Sequence, residues 1–216
     1  MPNVLITAGP TREYIDPVRY ISNKSSGKMG FAVAEAFAEK GAEVKVITGP
    51  IQMSSVECRM SNLSRTKVET AEEMRKAVFE HFDWADIIIM AAAVADYQPA
   101  AFSKNKIKKN KPQFDLLLER TPDILAELGR KKRKGQILVG FALETENLVE
   151  NAKEKLQEKN LDLIIANDEK TPGAESASFI FISKDSRGGF ETRPYRNIAK
   201  NVLGRLLAEK LYTILY

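Results

Sequence analysis

A three-layer α/β fold is predicted, built on a mostly parallel, doubly wound sheet and finished by a C-terminal β-hairpin and helix. Three observations predict it. Short apolar runs alternate with amphipathic helical segments along the chain. The runs "NVLITAG", "DIIIMAAA", "QILVGFA" and "LDLIIAN" lack polar alternation, which marks strands covered on both faces. A glycine-containing turn, "NKSSGKMG" (23–30), stands between the first run and the first helix, as in a βαβ unit. Together these make the sheet Rossmann-like.

The elements follow in order. Asn3–Gly9 is a buried strand. Phe31, Ala34, Phe37 and Ala38 give the next helix one apolar face, and Gly41 stops it. Glu43–Thr48 is the second strand. Thr66–Glu69 is a weak strand, followed by a helix over Ala71–Phe82 and a central strand over Asp86–Ala93. Phe114–Leu118 reads as extended. "TPDILAEL" opens a helix with Thr121 as N-cap and Pro122 at the first helical position. A buried strand, the amphipathic helix Glu146–Lys159 and another strand come next. "ASFIFISKDSRGGFETRP" is a hairpin turning at Gly188 and Gly189. Arg196–Leu215 is the closing helix. No repeat or linker-like tract interrupts residues 1–216, which read as one domain.

Composition excludes several functions. With one cysteine, Cys58, the chain has no internal disulfide and no cysteine-based metal site. Its one histidine, His81, falls at a helix end, which argues against a catalytic triad or a histidine-ligated zinc. The formal charge of +4 does not itself indicate nucleic acid. No basic-then-apolar leader and no run near roughly 18 apolar residues occurs, so a cytoplasmic protein without a membrane span is expected.

Two connections are long: Gly9–Asn23, and Val94 to about Gln113. Such connections usually have about 2–6 residues, and long ones tend to be functional. Both follow the carboxyl ends of parallel strands, where α/β sheets bind ligands. The first leads into Ser25, Ser26, Gly27 and Lys28, whose helix N-terminus suits phosphate. The turn is neither a P-loop, since Met29 follows the lysine, nor a G-x-G-x-x-G fingerprint. In the second, Ala91–Ala93 leave room for ligand atoms, and Asp96 offers a carboxylate for a metal, sugar hydroxyls or a turn. Lys104, Lys106, Lys108, Lys109 and Lys111 then form a basic run between apolar segments, which points to an anionic ligand. A triphosphate with Mg²⁺ would use all of these groups.

The stretches "ITAGPTREYIDPVRYISNKSSGKMG", "AAAVADYQP", "KIKK", "TPDIL", "VGFALET" and "NLDLIIAND" occur in this order. In them the chain resembles the bacterial phosphopantothenate–cysteine ligases, from about Val4 to Asp168. The resemblance implies condensation of 4′-phosphopantothenate with cysteine in coenzyme A synthesis. CTP activates the carboxylate as an acyl-cytidylate, with Mg²⁺, and CMP and pyrophosphate are released. It implies that Asn23 contacts the acyl intermediate and that Arg19 and Ala92 serve the second half-reaction. Lys106 matches the lysine that helps form the intermediate. Met90, Ala91, Ala92, Asp96, Pro122, Asp123, Ile124, Phe141, Lys155 and Lys159 match nucleotide-contacting positions. Gly9, Arg19, Asn23, Ser25, Ser26, Gly27 and Lys28 fall in the substrate- and phosphate-binding stretch, and Asp96 is the metal candidate. The long lead-in is expected to bring Arg19 and Asn23 together beside the reacting carboxyl.

The resemblance further implies a homodimer and a flavin-dependent decarboxylase, fused or separate. The charged loop Ala100–Asn110 needs an anion or another surface to order it, and is expected to close over a site partly walled by the second subunit. Physical reasoning alone leaves CTP and ATP equally open. One rival is an NAD(P)-dependent reductase, for which Tyr97 is the available proton donor. Another is a non-catalytic phosphopantetheine-binding module.

Overall fold

The computed structural model describes residues 1–51, 60–108, 112–144, 146–168, 175–185 and 188–215. Cys58, Lys109, Lys111 and Thr145 lie outside the described residues. The first half contains β1 (Asn3–Ala8), β2 (Arg12–Tyr14), β3 (Tyr20–Ser22), α1 (Lys28–Glu39), β4 (Glu43–Thr48), β5 (Leu63–Lys67), α2 (Ala71–Glu80) and β6 (Ile87–Met90). The second contains β7 (Tyr97–Pro99), β8 (Leu118–Arg120), α3 (Ile124–Lys131), β9 (Ile137–Glu144), α4 (Leu148–Glu158), β10 (Leu163–Asp168), β11 (Ser176–Lys184), β12 (Phe190–Ala199) and α5 (Lys200–Leu215).

An eight-stranded sheet has the order β12-β11-β10-β9-β6-β1-β4-β5. Strands β5, β4, β1, β6, β9 and β10 pair in parallel, and β11 and β12 add an antiparallel edge. Numbered along the chain, the parallel strands have the order of a Rossmann sheet. The sequence explains this arrangement because successive residues of a strand face opposite layers. Val4 and Ile6 pack on the α1 and α5 side, and Leu5 on the side of α2, α3 and α4. Ile87 and Ile89 repeat the first choice, and Ile88 and Met90 the second.

Three features refine the expected elements. Each long connection contains a hairpin: β2 pairs with β3, and β7 with β8. Three-residue strands are too short for a periodic signature. The C-terminal hairpin also runs further than expected. Its ladder pairs Ser176 with Ala199 and Ala177 with Ile198, so Arg196–Ala199 is strand and the closing helix starts at Lys200. Thr121 does not cap α3: its hydroxyl donates to the Ala95 carbonyl, and Asp123 is the cap, accepting from Ala126 N at 2.9 Å.

Gly30 sets the distance between α1 and β1. A Cβ there would lie 2.6 Å from Ala8 Cβ and 3.0 Å from the Thr7 carbonyl oxygen. Gly30→Ala is therefore expected to destabilise the fold by about 1–3 kcal/mol, as overpacking does, read by denaturant unfolding. The other face is tied by ions. Arg75 on α2 donates to Glu127 on α3 at 2.6 and 2.9 Å, and Lys131 adds a third bond at 2.8 Å. Arg75 first, then Lys131, lower the Glu127 carboxyl from 4.5 to about 2. A depressed carboxylate stabilises the fold fully above its unfolded value and loses that contribution as it becomes protonated. Stability is thus expected to fall between pH 4.5 and 2, with Glu127→Gln removing part of that slope in melts across this range.

Candidate active site

Strand order reverses between β1 and β6, and their carboxyl ends open the crevice where ligands sit in such sheets. The Ala93 N–H donates to the Gly9 carbonyl at 2.9 Å, joining the two strand ends. Thr7 Oγ1 accepts from Ala92 N at 3.1 Å, and Thr11 Oγ1 from Ala95 N at 3.0 Å. Asn23 lies over this seam. Its Nδ2 donates to the Val94 carbonyl at 3.0 Å, with the Ala93 carbonyl at 3.5 Å. Its amide thus reaches two backbone carbonyls, Val94 more closely, and these hold Asn23 over the seam.

The turn beside Asn23 is shaped by glycine. Gly27 is the N-cap of α1 at φ 74°, a left-handed conformation suited to glycine, and no side chain among the described residues caps the helix. Ser25 Oγ accepts from Gly27 N at 3.3 Å, and Ser26 belongs to the same turn. A Cβ on Gly27 would come within 3.4 Å of Gly9 N, so the turn lies against the end of β1. First-turn N–H groups of α1 are thereby available to an anion. Lys28 points elsewhere, pairing with Glu175.

A second group gathers at the tip of the β2–β3 hairpin around Asp16, which is fully buried. Its carboxylate accepts from Val18 N and Arg19 N, both at 2.9 Å, from Ile107 N at 3.1 Å and from the Arg19 guanidinium. These bonds, Arg19's first, hold the Asp16 carboxyl well below the usual range despite its burial. Arg19 also donates to the Ile107 carbonyl at 2.9 Å. Lys106 is fixed through its neighbour while its own side chain stays exposed. Arg19 thus joins the lysine loop through Asp16 and Ile107.

A third group lies beyond β6. Lys159 pairs with Asp123 at 2.8 Å. Burial raises the Asp123 carboxyl, but Lys159, the Ala126 N–H and Lys155 together outweigh it and leave it lowered. Lys155 is pushed down by burial and by Lys159, against the pull of Glu144, Asp96 and Asp123. Met90 and Ala92 face this side, as does Ile124, the first residue of α3; Pro122 precedes the cap Asp123 and so is not the first helical residue. Ala91 is half-buried beside them. Phe141 packs on the opposite face, towards α1 and α5. Asp96 is exposed, and no group of three His, Cys, Asp or Glu suited to a metal occurs among the described residues.

The DNA/pantothenate metabolism flavoprotein C-terminal domain family matches residues 2–211. The chain belongs to this family. It is 50 % identical over 172 residues to the coenzyme A biosynthesis bifunctional protein CoaBC of Bacillus subtilis, covering 80 % of this chain and 41 % of that protein. It is 44 % identical over 209 residues to a cysteine/cysteine sulfinic acid decarboxylase from an unknown prokaryotic organism, covering 94 % of this chain and 57 % of the relative. The chain spans about half the length of these curated relatives. The crystal structure of a CoaBC C-terminal domain is 37 % identical, with a TM-score of 0.79 over 99 % of this chain and 95 % of that one. The resemblance seen in the motifs thus holds: the chain is similar to the phosphopantothenoylcysteine synthetase half of CoaBC.

Asp16, Thr7 and Thr11 carry no sequence motif of their own. Asp16-Pro17 is a turn signal, the one sequence clue to the bonds gathered at Asp16. The threonines ended or followed an apolar strand with no mark of their role.

Proposed function

We propose that this chain ligates 4′-phosphopantothenate to L-cysteine using CTP, as one step of coenzyme A synthesis. The observation that carries the reading is Asn23, fixed by the Val94 carbonyl at the switch point beside the uncapped N-terminus of α1. A carboxylate does not acylate an amine at neutral pH because oxide is a poor leaving group. The substrate carboxylate attacks the α-phosphate of CTP, pyrophosphate departs and an acyl-cytidylate forms. The cysteine amine then attacks the acyl carbon, and CMP leaves.

Both steps place negative charge on oxygen, so positioned donors suffice without a histidine. The α1 N–H groups and the Ser25–Gly27 turn receive phosphates, and Lys106 supports the α-phosphate as pyrophosphate leaves. Asn23 donates an amide hydrogen to the acyl oxygen, exchanging its longer contact with the Ala93 carbonyl for it. Ala92 leaves space there, and Lys155 and Lys159 face the nucleotide. Mg²⁺ typically takes one or two carboxylates plus phosphate oxygens. Asp96 fits that need and would hold the ion, which would neutralise the pyrophosphate's charge.

The active unit is a homodimer. Val18, Tyr20, Tyr97, Phe102, Phe114 and Leu117 are exposed on or beside the two hairpins, Leu117 at 78 %. Such a patch is characteristic of an interface. Arg19 and the lysine loop meet at the hairpin tip beside this patch, and the tip closes over the second subunit's site. A flavin-dependent decarboxylase, fused or separate, acts on the product in the cytoplasm. No helix among the described residues is long and apolar enough to cross a membrane.

Pyrophosphate release from CTP or ATP, with phosphopantothenate and with or without cysteine, tests the reading. Release with CTP and phosphopantothenate is expected, with turnover continuing only when cysteine is added. NADPH binding without nucleotide-dependent release would replace the ligase with a reductase.

A further inference from the structure

Glu175 stands where two helices begin. Its carbonyl accepts the N–H of Lys200, the first residue of α5, at 3.2 Å. Its carboxylate pairs with the ammonium of Lys28, the first residue of α1. The helices approach closely, since a Cβ on Gly204 of α5 would lie 2.5 Å from the Ala32 carbonyl oxygen of α1. Each helix N-terminus carries about half a positive charge. Two such ends and two ammonium groups therefore meet at Glu175. Lys200 is only 8 % exposed, and burial first, then Lys28, push its pKa down while Glu175 opposes them. A cleft of about 410 Å³ runs past these groups, with Glu35 the other carboxylate on its wall.

We propose that Glu175 is an internal counter-ion that competes with the nucleotide's polyphosphate for Lys28. The inference rests on the CTP-dependent reading and adds Glu175 to that site. Lys28 directly follows Gly27, so its flexible stem starts beside the N–H groups that receive phosphate. In the free protein its ammonium is held by Glu175. The Glu175 side chain is 83 % exposed, and exposed pairs are weak. A polyphosphate carrying several charges displaces such a partner easily. Glu175 therefore tunes affinity without blocking the site, and it recaptures Lys28 as pyrophosphate leaves, which favours release.

Calorimetric titration of the intact protein with CTP and with inorganic pyrophosphate tests this. Glu175→Gln keeps the backbone bond to Lys200 and is expected to bind pyrophosphate about threefold more tightly, with stronger product inhibition. Lys28→Gln is expected to bind more weakly. The double variant should match Lys28→Gln, because Glu175 acts through Lys28. Unchanged affinity in Glu175→Gln overturns the proposal while CTP binding leaves the ligase reading in place. A tightening that survives in the double variant, or that Glu35→Gln reproduces, also overturns it, since general charge would then be the cause. If the unaltered protein binds neither CTP nor pyrophosphate, the nucleotide reading and this inference fall together. Unchanged melting temperatures show that the variants fold.

Discussion

Lys106→Gln is expected to slow acyl-cytidylate formation by about 10²–10³, the usual loss for one preorganised donor to a developing charge. The effect should be confined to chemistry. The backbone next to Lys106 is held by Asp16 through Ile107 N at 3.1 Å, a bond that glutamine at position 106 leaves intact. The Lys106 side chain is exposed, so its replacement disturbs no packing. Glutamine keeps a hydrogen-bond donor but lacks the charge that follows the departing pyrophosphate. Single-turnover pyrophosphate release measures the step, alongside a melting temperature expected to stay the same. Release at the normal rate would remove Lys106 from the first half-reaction.

Asn23→Asp is expected to form the acyl-cytidylate and then stall, with turnover reduced by a similar factor. The new carboxylate repels the oxyanion that develops when cysteine attacks, and the donor is lost. It also faces the Val94 carbonyl, which the amide now satisfies at 3.0 Å. Mass spectrometry should find the acyl-cytidylate on the protein after CTP and phosphopantothenate are added. Normal consumption by cysteine would make Asn23 a purely structural residue. The two variants also test the shared site. If a site takes Asn23 from one chain and Lys106 from the other, a mixed dimer has one intact site and one with both defects. Activity should partly return when the inactive variants are refolded together and heterodimers are confirmed by tagged pull-down. Confirmed heterodimers without activity would mean that each site belongs to one chain.

The doubly wound sheet was legible because its central strands are apolar on both faces. In Ile87–Met90 every residue is buried, and no alternation was needed to recognise it. The two long connections were legible as more than linkers for a related reason: chain length there exceeds what linking requires. Their internal form was hidden. Hairpins of three-residue strands depend on cross-strand bonds, and neither Tyr14 opposite Tyr20 nor Tyr97 opposite Arg120 is visible as a pattern. Competition between hydrogen bonds decided the cap of α3. Thr121 and Asp123 are both good N-caps, and Thr121 was diverted to Ala95. The i, i+4 spacing of Lys155 and Lys159 allowed a shared face, but the distant partner of Lys159, Asp123, came from the fold. The bond from Arg19 to the Ile107 carbonyl, between residues remote in sequence, likewise came from the fold. Glu175 had no motif at all, since its role arises from two helix ends that are remote along the chain.

Oxygen transfer tests the central claim most directly. Phosphopantothenate labelled with heavy oxygen in its carboxylate is incubated with CTP, cysteine and the protein, and the nucleotide product is analysed by mass spectrometry. Attack on the α-phosphate followed by displacement of CMP leaves one carboxylate oxygen in CMP, so labelled CMP is the expected result. Label in inorganic phosphate with unlabelled nucleotide would show activation at the terminal phosphate and contradict the acyl-cytidylate.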